Sequence, residues 1–114
     1  MKVTSIERVP LQPVQMEGTR GARMRVMLGE ADGAPGFTMR LFELEPEGFT
    51  PRHSHPHEHE IIVQSGSGTL WSREAEHPLE PGVVALVGPD EEHQLRAGSK
   101  GMAFFCIVPN EGHG

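Results

Sequence analysis

With 114 residues and ten Lys and Arg against sixteen Asp and Glu, the chain carries a formal charge of −6. One domain around one core is what this length builds, and the lack of a basic run excludes nucleic acid and anionic membrane as expected partners. The lone cysteine, Cys106, cannot close an internal disulfide, the N-terminal MKVTSIERVP lacks the apolar stretch of a signal peptide, and no apolar run reaches the roughly 20 residues that cross a bilayer, so a cytoplasmic location is expected.

In chain order, residues 1–18 come first, a weak alternation broken by Pro10 and Pro13. With Val3, Ile6, Val9, Leu11 and Val14 to bury, this segment reads as an arm lying along the domain or along a neighbouring subunit. A barrel is expected over 19–110 and a tail over 111–114, fraying from Asn110 onward. Within the barrel, apolar–polar alternation marks strands at 22–28, 37–45, 59–65, 69–73, 83–87, 93–97 and 102–108. No stretch sustains a helical period over three turns. The 14 glycines and 10 prolines are scattered between these strands as punctuation. Ser65-Gly66-Ser67-Gly68 reads as a hairpin, because glycine reaches the positive φ angles tight turns require. The expected fold class is all-β, a sandwich or barrel.

Four of the seven histidines fall in His53-Ser54-His55-Pro56-His57-Glu58-His59. Residues two apart on a strand share a face, so His53 and His55 can present two imidazoles to one cation. Pro56 cannot donate to a ladder and marks a turn, which would bring His59, the first residue of the next strand, beside that pair. His57, at the turn, is expected to face solvent. A His-rich surface tract that binds metals loosely is the competing reading of these residues.

The surrounding residues resemble the cupin superfamily. Its first motif reads Gly, a spacer, His-x-His, three or four residues, Glu, six residues, Gly; here Gly48 opens it, His53 and His55 form the pair, and Gly66 closes it. Its second motif is similar to the run through Gly82, Pro89 and His93. His59 stands where Glu is usual, which resembles the four-histidine variant of small single-domain cupins; Glu60 is the alternative at that position. Pro89-Asp90-Glu91-Glu92-His93 lacks the family's glycine and is a residue short, and Ala97 stands where Asn is usual. The resemblance covers about residues 36–108. It implies a jelly-roll β-barrel (double-stranded β-helix) with one divalent transition metal ion on His53, His55, His59 and His93, Mn or Fe being favoured and Ni, Zn, Co and Cu compatible. Four neutral imidazoles leave the ion its full charge, and an octahedral ion would keep two positions for water, dioxygen or a chelating substrate, a catalytic rather than a structural layout.

Arg40 shares a strand face with Phe42 and Leu44. If that face is inward, a guanidinium enters the barrel and needs an anionic partner such as a substrate carboxylate; if Met39 and Leu41 point inward, Arg40 is on the surface. On the last strand Phe104 and Cys106 are the pocket candidates, with Phe42, Ile61, Val63 and Leu95 as further apolar lining. Trp71 reads as packing, and His77 and His113 as lying away from the site. The expected function is a metal-binding, oxygen-dependent, dioxygenase-like enzyme acting on a small organic molecule; a metal-dependent isomerase or lyase and a noncatalytic small-ligand sensor are the alternatives. A homodimer is expected from the apolar arm and from the cupin resemblance.

Overall fold

The computed structural model describes the chain through residue 113; Gly114 and the side chain of His113 lie outside the described residues. Seven strands form: β1 (Gln12–Pro13), β2 (Arg20–Leu28), β3 (Phe37–Phe49), β4 (His59–Ser72), β5 (Glu76–Leu79), β6 (Val84–Val87) and β7 (His93–Pro109). Two short 3-10 turns, Ile6–Arg8 and Glu30–Asp32, and a terminal turn of helix, α1 (Asn110–His113), complete the chain. Every strand pair is antiparallel, in the order β1-β2-β3-β7-β4-β5, with β6 also on β4. The result is a jelly-roll barrel.

Three long strands, β3, β4 and β7, are its frame, and each changes its inward parity part-way. In β4 the buried residues are His59, Ile61 and Val63, then Leu70; in β7 they are His93, Leu95 and Ala97, then Met102, Phe104, Cys106 and Val108. Register shifts between Val63 and Ser65 and between Gly66 and Gly68 accomplish the change, as β-bulges do. The expected hairpin at 65–68 is therefore corrected. Gly66 does adopt a positive φ of 74°, but within a continuous strand, where a Cβ would collide with the Gly101 carbonyl; a Cβ on Gly68 would collide with that of Arg96. The glycines are needed for close strand approach at a bend. The same reasoning merges 93–97 with 102–108 into β7.

β5 is not among the expected strands, its His77-Pro78 pair reading as part of a polar hairpin. It sits at the end of the strand order, where a missing N–H is tolerated. Asn110 does not fray: it is 8% exposed, accepts a hydrogen bond from the Thr38 hydroxyl at 2.7 Å and donates to the Ala34 carbonyl at 2.9 Å. The arm lies on its own barrel. Val14 N–H donates to Ala22 at 3.0 Å, and the Arg25 guanidinium donates to the carbonyls of Ile6 and Val9 at 3.1 and 2.6 Å.

The core gathers Leu44, Ile61, Val63, Leu70, Leu79, Val87, Leu95, Met102 and Phe104 from five strands. Phe42 stacks on Phe104 with centroids 5.3 Å apart, and Trp71, half-buried, carries the Arg52 guanidinium 3.7 Å above its ring.

Candidate metal centre

The segment between β3 and β4 is irregular, so His53 and His55 are not on a regular strand as the His-x-His spacing suggests. His53 is instead pinned to the start of β7 by a reciprocal pair of backbone hydrogen bonds with His93, at 3.1 and 2.9 Å. Asp90 N–H donates to the His55 carbonyl at 2.7 Å, and Asp90 takes a φ of 61° in the turn that lacks the family's glycine. These tethers carry the first and second motifs to the same place. His59 follows from β4, whose inward face begins with it; Glu60 is exposed on the opposite face.

The ring nitrogens of His53, His55 and His93 come within 4.8 Å of one another. His59 falls outside that threefold group, although its Nε2 is 3.2 Å from Nε2 of His93 and its ring centroid 4.9 Å from that of His55. The tautomers are legible. Nδ1 of His55 lies 2.8 Å from the His57 carbonyl and Nδ1 of His93 lies 2.8 Å from the Glu91 carbonyl. A carbonyl only accepts, so both Nδ1 atoms carry the proton and both Nε2 atoms turn a lone pair inward. Nδ1 of His59 is 2.9 Å from Cys106 Sγ. A thiol can donate or accept, so His59 turns an Nε2 lone pair inward only in the tautomer whose Nδ1–H donates to sulfur.

Burial, and then the neighbouring imidazoles, hold His53 below its ordinary pKa and push His59 down to about 3. His93 is also lowered, chiefly by burial, against a raising hydrogen bond to the Glu91 backbone. Neutral imidazoles with converging lone pairs are what a divalent transition metal requires, so the donor set fits such an ion.

The histidines border a cavity of about 430 Å³. Arg40, Phe42, Phe104, Cys106 and Leu95 line it, so β3 turns the Arg40 face inward. Ile61 and Val63, expected in the lining, are buried in the core instead. His57 is the main departure. Rather than facing solvent it lines the cavity, half-buried and stacked on His55 with centroids 4.0 Å apart. Spacing could not reveal this, because residues at a turn have no fixed face. The arm's Val14 and Met16, with Met24 of β2, are further lining that strand parity did not mark. His77 is exposed on β5.

An antiparallel barrel with imidazoles gathered at an apolar cavity defines the class: a small β-barrel with a candidate metal site. Residues 40–108, more than half of the chain, match the family model described as a cupin domain, and the chain belongs to that family. It is 29% identical over 79 residues to an L-ectoine synthase from Mycolicibacterium gilvum, covering 68% of this chain and 60% of that protein's length. The polyketide cyclase RemF from Streptomyces resistomycificus superposes with a TM-score of 0.91 at 29% identity, over 96% of this chain and 80% of the other. A cupin 2 domain-containing protein from Halorhodospira halophila superposes with a TM-score of 0.75 at 31% identity, over 88% and 75%.

Proposed function

We propose that this chain is a metal-dependent enzyme that holds one divalent transition metal ion on His53, His55, His59 and His93 and promotes ring closure of an apolar, carbonyl-bearing substrate. The observation that carries the reading is His57, an imidazole that lines the cavity stacked on His55 and is not one of the four proposed ligands. A bound ion would polarise the substrate carbonyl. His57 would take the proton from the carbon next to it, that carbon would bond to a second carbonyl carbon of the same substrate, and the protonated His57 would return the proton to the alkoxide so formed, closing the ring with no oxidant. Phe42, Phe104 and Leu95 would pack the substrate body and exclude water. Likeness to a polyketide cyclase supports the same chemistry.

The second reading is the oxygen-dependent, dioxygenase-like one, with Mn or Fe in the site. The all-imidazole donor set favours it, since four protein ligands on an octahedral ion leave positions for both dioxygen and substrate.

Metal-loaded protein given an aryl 1,3-diketone chain with a free ketone arm separates the two. Cyclised product without oxygen uptake, slowed about 100-fold or more in His57→Gln at unchanged metal content, is expected. Product formation that consumes oxygen in step would establish the dioxygenase-like reading instead.

A further inference from the structure

Neither metal binding nor proton transfer uses Arg40. Its strand position places it opposite Cys106 of β7, and its side chain lines the cavity. The guanidinium lies over the Phe42 ring, 5.1 Å from the centroid, and Nη2 donates to Cys106 Sγ at 3.2 Å. Nε is buried and has no hydrogen-bond partner among the described protein atoms. Among the described residues no Asp or Glu lines the cavity, and their ion pairs, Lys2–Asp32, Arg25–Glu43 and Arg73–Glu92, leave Arg40 out.

A half-buried guanidinium whose Nε is shut off from water, with neither a carboxylate nor a full set of acceptors, is electrostatically incomplete. Here its neighbours deepen the deficit: a thiol is a weak acceptor, and the facing His53, His55, His57, His59 and His93 contribute no negative charge. Nε and Nη2 share one edge of the guanidinium, the edge that takes a carboxylate or enolate through two parallel bonds.

Building on the reading of this cavity as the substrate site, we propose that Arg40 is the specificity-determining anchor for an anionic head group. The substrate class is then an apolar acid, a carboxylate or stabilised enolate on an aromatic or aliphatic body. The head lies at Arg40 beside the histidines, and the body packs along Phe42, Phe104, Leu95 and Met24. A neutral analogue of the same shape forfeits the charge-assisted bonds and leaves Arg40 unpaired.

The test uses the full-length, metal-free chain near neutral pH, so that it does not depend on metal loading. Calorimetric titration with naphthoate and with naphthamide, equal in shape and different in charge, should show naphthoate binding about tenfold tighter or more. Arg40→Met should erase that preference while keeping its melting transition and its weak affinity for naphthamide, and Arg40→Lys should restore part of it. Equal affinities in the unmodified chain, no detectable binding of the acid, or a preference that survives in Arg40→Met would each overturn the proposal. Metal titration of the same proteins is a separate readout: a chain that takes up no metal but prefers naphthoate refutes the metal centre and leaves the Arg40 anchor standing.

Discussion

At the scale of single residues, the site combines imidazoles whose inward nitrogens are set by what their other nitrogens touch. Backbone carbonyls fix His55 and His93, and Cys106 is the corresponding partner of His59. The two kinds of partner differ in consequence. A carbonyl imposes its tautomer, whereas a thiol can donate or accept, so His59 depends on a side chain that substitution can remove. Alanine at His53, His55, His59 or His93 is expected to abolish tight binding in a metal titration. Cys106→Val is expected to weaken it about tenfold, within the range for outer-shell partners, with Cys106→Ser retaining most of the affinity. Equal losses at His57 and His59 would point to a loose His-rich tract.

The same residues make the metal-free chain acid-sensitive. His59 moves from 6.5 to about 3 on folding, so the folded chain resists a proton that the unfolded chain accepts. Its contribution is fully present above 6.5 and is lost progressively as the pH falls toward about 3. Denaturant midpoints of the metal-free protein should therefore fall from near neutral pH to mildly acidic pH, and His59→Phe should flatten the slope.

At the scale of elements, the bends in β4 and β7 decide what the cavity contains. Without the shifts at Val63–Ser65 and Gly66–Gly68, a strand that buries His59, Ile61 and Val63 would keep burying odd positions, and Leu70 would face solvent. Gly68→Val places a branched side chain against the Arg96 carbonyl. It is expected to cost about 2 kcal/mol or more, visible as a lowered melting temperature. A variant as stable as the parent would show that the two strands can part there without loss. The arm belongs to this scale too. By supplying Val14 and Met16 to the lining, residues 1–18 take part in the cavity and are more than a tether.

For the whole molecule, we propose a homodimer, as the apolar arm and the cupin resemblance lead one to expect, with an interface beyond the arm that lies along its own barrel. Apolar surface remains on the outer sheet face, where Ile62, Val84 and Leu86 are 42%, 69% and 63% exposed. β6 pairs only with β4, so its other edge is also open among the described residues. A second copy of this chain is the proposed occupant, because a two-fold axis at an open edge pairs both strands at once and buries both patches. Light scattering should give twice the chain mass for the full-length protein and the chain mass for Leu86→Asp. A monomeric parent chain would exclude the dimer.

Local pattern in the chain carries strand class through period-two alternation, the crowding of histidines at 53–59, and the pairing of that tract with His93 through two recognisable motifs. Each alternation and each motif is carried by residues near one another in the chain, although the motif of His93 lies well beyond that of His53. The direction of Arg40, the inward position of His57, the arm's share in the cavity and the continuity of β4 and β7 were decided only by tertiary structure. A bulge reverses strand parity without leaving a signature distinct from a turn. Which face of β3 looks inward is set by its pairing with β2 and β7, and where a turn residue points depends on what packs over it. Those are contacts between segments far apart in sequence, and no local pattern encodes them.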